Sequence, residues 1–110
     1  MPKTETAEIR QLNDSFRATF RGGKVMTTPG ILALGEQAVA AILDKVRAFD
    51  AFGADNDPHG EHDFGAFDQE GRKVFWKIDY YDRECVHGSE NPADWSVTTR
   101  VLTVMLAEEY

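Results

Sequence analysis

Cys85 is the only cysteine in the chain, so no internal disulfide can form and a disulfide-stapled secreted scaffold is excluded. No apolar run approaches the roughly 20 residues of a membrane-spanning helix. The opening Met1-Pro2-Lys3-Thr4-Glu5 lacks the apolar segment of a secretory signal, so a soluble, cytoplasmic protein with no membrane contact is expected. Established motifs are missing too. There is no Gly-x-Ser-x-Gly elbow, phosphate loop or dinucleotide fingerprint. His59, Glu61 and His62 do not have the His-Glu-x-x-His spacing that sets two imidazoles on one helix face, and adjacent strand residues point to opposite faces. No metal and no cofactor are therefore expected. Cys85 and His87 are two apart with no third group to orient them, which predicts a free thiol and not a nucleophile pair. Repeats, linkers and low-complexity tracts are also absent.

What is present is a core. The 110 residues are 42% hydrophobic, enough for one domain that buries roughly two-thirds of the surface its unfolded chain exposes. The net charge of −7 is unevenly spread: residues 1–49 carry 7 basic and 5 acidic groups, residues 50–94 carry 4 and 12, and residues 95–110 carry 1 and 2. An acidic middle repels phosphate backbones, so direct duplex binding is not expected there, whereas a basic protein surface would be attracted.

Ile9, Leu12, Phe16 and Phe20 form one helical stripe with Arg10, Asp14, Arg17 and Arg21 on another side, predicting a helix over 5–20 that Gly22-Gly23 ends, with a solvated, ion-paired arginine face. Residues 24–28 read as a short strand. Val39, Ile42, Leu43, Val46 and Phe49 predict a second helix over about 35–50. Asn91-Pro92-Ala93-Asp94 looks like a cap and first turn ahead of Val97, Val101, Val104 and Met105, predicting a third helix over 92–108. A hairpin is expected over about 61–81. The fold class is α+β in the order α-β-α-β-β-α, with a small, mainly antiparallel sheet packed against helices. Leu12, Phe16, Val39, Ile42, Leu43, Val46, Phe64, Trp76, Ile78, Val101 and Met105 are its expected core.

Ionisable groups are densest between Asn56 and Asp82. Asp57-Pro58-His59-Gly60 has the residues of a turn. Asp68-Gln69-Glu70-Gly71 fits a three-residue hairpin loop, and placing Asp68 opposite Arg72 fixes a register. His62, Phe64 and Ala66 would then face Ile78, Trp76 and Val74 on the core side, with Gly65 opposite Phe75, Asp63 opposite Lys77 and Glu61 opposite Asp79 on the other side. Two facing carboxylates beside one ion pair would need a proton, a cation or a partner's charge to compensate, unless Glu61 falls ahead of the ladder and points to solvent. The candidate catalytic residues are His59, Glu61, Asp63, Lys77, Asp79 and Tyr81. The candidate partner-binding residues are Asp55, Asp57, Glu61, Asp63, Asp68, Glu70, Asp79, Asp82 and Glu84.

The strings Asn56 to Gly65, Trp76-Lys77-Ile78-Asp79-Tyr80-Tyr81-Asp82 and Thr99 to Ala107 with Glu109-Tyr110, together with Asn13-Asp14-Ser15-Phe16-Arg17, resemble domain-of-unknown-function family 3768, small proteins mainly of alphaproteobacteria. The resemblance covers nearly the whole chain and carries no assigned activity or catalytic residues. It implies genes on plasmids and other mobile elements near antirestriction genes. From it and the charge pattern follows the expected function: a small acidic protein-binding module, an inhibitor of a host nucleic-acid-processing or defence system that engages a basic groove. The alternative is a small enzyme using acid–base or metal-assisted chemistry on the polar face of the hairpin.

Overall fold

The computed structural model describes residues 2–110. Helix α1 (Pro2–Thr19) turns Ile9, Asn13, Phe16 and Arg17 inward, a stripe at helical spacing that carries two polar residues among the apolar ones. It stops where Phe20 takes a φ of 58° and strand β1 (Gly23–Thr27) follows. A one-turn helix α2 (Pro29–Leu32) buries Ile31 completely, and α3 (Glu36–Arg47) buries Ile42 and Val46 with Val39 and Leu43 packed beside them. After a long loop come β2 (Phe64–Gln69), β3 (Arg72–Tyr81), a short 3₁₀ turn at Trp95–Val97 and β4 (Thr99–Leu106).

The four strands form one sheet in the order β1-β4-β3-β2, in which β1 runs parallel to β4 while β4–β3 and β3–β2 are antiparallel. The architecture is α+β with a mainly antiparallel sheet, as the sequence predicts. Val74, Trp76 and Ile78 of β3 stand opposite Leu106, Val104 and Leu102 of β4, and these six pack with Phe16, Ile31, Ile42 and Val46. The alternate residues of the same strands form the sheet's second face.

Three expectations are corrected. Residues 99–106 are a strand, not the body of a third helix. Asn91, expected as the cap, starts no helix; Asp94, expected as a first-turn acid, is itself the cap, its carboxylate accepting from the Ser96 N–H at 2.9 Å, and it starts only the 3₁₀ turn. The segment beyond lies in the sheet interior with both faces buried, so it lacks the alternation of a half-buried strand, and its apolar spacing imitates a helix.

The hairpin register is shifted by one. Gln69 pairs with Arg72 around a two-residue turn in which Glu70 and Gly71 have φ of 50° and 81°. Gly65 therefore faces Trp76 and Phe67 faces Val74, while Phe64 and Ala66 turn to the second face opposite Lys77 and Phe75. Trp76 sets this choice: its indole lies so close over Gly65 that a Cβ there would stand 2.7 Å from Cε2. Burying the tryptophan outweighs the cost of a glutamate at positive φ.

The expected core holds for Phe16, Ile42, Val46, Trp76 and Ile78, with Val39 and Leu43 half-buried beside them, whereas Val101 and Met105 are buried on the second face and Phe64 is half-buried there. Leu12 is half-buried at a surface concavity.

Candidate functional site

The arginine face of α1 is not simply solvated. The loop that brings the chain to β2 folds back onto it. Arg10 donates to the Gly60 carbonyl at 3.1 Å, and Asp14 accepts from Arg17 at 3.0 Å and faces His62 Nδ1 at 2.8 Å. The Asp57–Gly60 turn forms as read, closed by the Gly60 N–H on the Asp57 carbonyl. Asp57 itself is buried, taking the His62 N–H at 3.1 Å. The His62 ring stacks on Phe52 with 3.8 Å between centroids, and the Arg17 guanidinium lies over the other side of the cluster, 5.2 Å from Phe52 and 5.4 Å from Trp76. His62 and Arg17 thus seal the loop to the helix.

Deeper in, Asn13 is fully buried and organises three strangers in sequence. Its amide donates to the Glu61 carbonyl at 3.0 Å and the Tyr80 hydroxyl at 2.8 Å, and its carbonyl accepts from Arg100 Nε at 2.7 Å. Tyr80 passes its proton bond on to the Glu61 carboxylate at 2.8 Å. Burial, then the bond to Glu61, pushes the Tyr80 phenol far above its ordinary range. Burial pulls Arg100 downward. Asp63, just ahead of β2, has its carboxyl raised by burial and then by the neighbouring charge of Glu61.

The register divides the candidate catalytic residues. Glu61 is bound to Tyr80, which alternates with Asp79 along β3, so the two carboxylates expected to oppose one another belong to different faces of the sheet. Asp63 does not pair with Lys77, because Phe64 occupies that position. His59 is exposed in its turn. Lys77, Asp79 and Tyr81 do gather on the second face. There the Lys77 ammonium bonds Asp79 at 3.0 Å, an interaction that raises its pKa. With Cys85, Met26 and Tyr110 they surround a trough of about 480 Å³ floored by Val101, Thr103 and Met105.

The acidic candidates are dispersed. Asp68 and Glu70 sit at the β2–β3 tip, while Asp82 and Glu84 follow the far end of β3, a strand length away. Asp82 is committed to its own turn, where the Val86 N–H holds its carboxyl below the usual range. Asp55, Asp68, Glu70 and Glu84 are exposed. Among the described residues, no three His, Cys, Asp or Glu side chains converge to hold a metal ion, and no helix is long and apolar enough to cross a membrane.

Nothing in the sequence spacing pointed to a second concavity, of about 400 Å³, between α1 and the start of β4. Leu12, Ser15, Arg21, Arg83, Trp95 and Arg100 line it with Thr98. Three separate stretches of chain supply these residues, and only the fold brings them together.

Residues 27–109 match the model of a family described as a protein of unknown function, DUF3768. No curated protein and no solved structure matches the chain.

Proposed function

The chain belongs to DUF3768, a family of unknown function that transfers no activity to it, and from its geometry we propose a non-enzymatic protein-binding module whose partner docks on the sheet's second face. One observation carries this reading: among the described residues, the three α-helices pack on one side of the sheet only. The other side presents an apolar floor with Met26 57% and Tyr110 73% exposed, and a cluster of Phe64, Phe75 and Tyr110 rings beside it. An antiparallel sheet tolerates water on one face, but large exposed apolar groups gathered there mark an interaction surface.

The partner is basic, in keeping with the net charge of −7 and with the exposed Asp68, which alternates onto the same face of β2 as Phe64 and Ala66. The basic groove of a nucleic-acid-processing or host-defence protein fits that description, which makes the module an inhibitor by occupancy. The free thiol of Cys85 suits the cytoplasm. Capture from host lysate at low and high salt, with the chain and its Met26→Glu variant, tests the reading. A partner held by the parent chain, released by salt and lost in the variant supports it. Retention of every partner by Met26→Glu would sink it.

The enzymatic alternative rests on Lys77, Asp79 and Tyr81, which share the trough. Its weakness is that Lys77 is held protonated by Asp79 and offers no base. An Asp79→Asn variant that binds its partner normally yet loses biological activity would favour the enzyme.

A further inference from the structure

We propose that the concavity between α1 and β4 binds a small organic phosphate of the nucleoside monophosphate class, its phosphate held by Arg21, Arg83 and Arg100 and its ring laid against Trp95. The proposal is independent of the sheet-face reading, since it uses the helical side of the molecule.

Arg100 supplies the central argument. It is only 3% exposed, and a buried guanidinium ordinarily has a carboxylate against it, because taking a charge out of water is costly unless it is paired. Among the described residues no ion pair includes Arg100, Arg21 or Arg83. Arg100 is held instead by neutral groups: Nε donates to Asn13 Oδ1, Nη2 donates to the Pro92 carbonyl, and the guanidinium lies 5.2 Å from the Tyr80 ring centroid. Glu61 acts on it at a distance, its carboxylate already taken by Tyr80. The buried cation thus has fixed orientation and no counter-ion in contact, and it lines a cavity whose other charged groups are two more arginines. No acidic side chain lines that cavity. In a chain of net charge −7, three arginines gathered without a carboxylate are an anion site by composition. Planar guanidinium groups suit phosphate oxygens best.

Trp95 identifies the rest of the ligand. Trp95 is 69% exposed, although the 3₁₀ turn that carries it is pinned by Asp94, which accepts from both the N–H and the hydroxyl of Ser96. The ring borders the arginine cavity and also an adjoining one of about 370 Å³ lined by Glu8, Gln11 and Ala93. A flat aromatic body can therefore stack on the indole with its phosphate on one side and its polar edge on the other. Glu8 and Gln11 there can take hydrogen bonds from an amine or sugar hydroxyl. Both volumes fall in the range of small-ligand sites.

The test is titration of the full chain, followed by tryptophan fluorescence and calorimetry, with the monophosphates AMP, GMP, CMP and UMP, with adenosine, with inorganic phosphate and with a short 5′-phosphorylated oligonucleotide. At least one monophosphate should bind at least about tenfold more tightly than adenosine or phosphate alone, because both halves of the site are then used. Arg83→Glu should weaken that binding by about tenfold or more while leaving the circular dichroism unchanged, since Arg83 is exposed. Trp95→Leu should weaken binding of the monophosphate more than that of inorganic phosphate. Arg100→Met is informative only if it folds, so the first two variants decide. Tighter binding of the oligonucleotide than of its terminal nucleotide would identify the source as a strand end and support the site. Absence of monophosphate binding at millimolar concentration, equal affinity for adenosine and AMP, or unchanged affinity in both Arg83→Glu and Trp95→Leu would each overturn the proposal.

Discussion

Arg100 Nε reaches Asn13 Oδ1 across 2.7 Å, so a buried arginine of the sheet is oriented by the neutral amide of a helix residue 87 positions earlier. The same amide serves Glu61 and Tyr80 with its two N–H groups. Asn13→Ala removes all three bonds and leaves partly buried donors and acceptors without partners. It should lower unfolding free energy by about 2–4 kcal/mol, read from urea denaturation. A loss below about 0.5 kcal/mol would mean that water replaces the amide at no cost.

Tyr80 should be the tyrosine that does not ionise before the protein unfolds in alkali, because its phenol is buried and donates to Glu61. Ultraviolet absorbance titration of the parent and of Tyr80→Phe checks this. The variant should lose absorbance from the step that coincides with unfolding. It should also be less stable by about 1–3 kcal/mol at neutral pH, since Glu61 loses its donor.

Asp63 is the opposite case, a carboxyl that folding makes harder to ionise. Its folded pKa lies above the ordinary 3.8, so between those values the folded state holds more protons than the unfolded state, and stability falls as pH rises through the window. Asp63→Asn should therefore raise the melting temperature at pH 7, with the gain disappearing below pH 3.8. A gain that persisted in strong acid would show that charge is not its origin.

Glu109 should contribute in the reverse sense. Its carboxylate takes the Thr28 hydroxyl at 2.6 Å, the Leu106 N–H at 2.8 Å and the Gly30 N–H at 2.9 Å, which hold its pKa below the ordinary 4.5. Stability from this clasp is complete above pH 4.5 and is lost as pH falls through the lower folded value. Glu109→Gln should be less stable at pH 7 and match the parent in strong acid, as melting curves across pH would record.

Gly65→Ala tests the hairpin register. The added methyl would meet Trp76 Cε2 at 2.7 Å and Phe49 Cζ at 2.8 Å, so overpacking should cost about 1–3 kcal/mol. Gly71→Ala meets nothing within 4 Å, and its penalty comes only from a φ of 81°. Equal effects at the two positions would argue against Trp76 lying over Gly65.

The helices α1 and α3 were legible because their apolar spacing matches the helical period and each buries a single stripe. Phe16, Ile42 and Val46 follow directly from that spacing. The hairpin was legible as an element but not in its register, because Glu70 is a poor residue for positive φ and the turn chemistry favours the longer loop. Only the three-dimensional fit of Trp76 over Gly65 decides it. One residue of slip then separates Glu61 and Asp63 from Lys77 and Asp79, so the polar face drawn from sequence became two surfaces. The concavity of Arg21, Arg83, Trp95 and Arg100 was illegible for a different reason, since its parts come from three stretches far apart in the chain. Arg100 in particular sits in an apolar run that reads as a helix face.

The sheet order also has a temporal meaning. The central strand β4 is made after the other three, and it alone hydrogen-bonds both β1 and β3. As the chain leaves the ribosome, the β2–β3 hairpin and the helices can form early, but β1 has no neighbour until residues 99–106 have emerged and inserted between the two halves. Until then the edges of β1 and β3 are open to other chains, the condition under which nascent proteins aggregate or recruit chaperones. Completion of the sheet is thus a late step closed across most of the sequence, slower than local helix formation, and a chain stalled before Thr99 has a hairpin and helices but no sheet to join them.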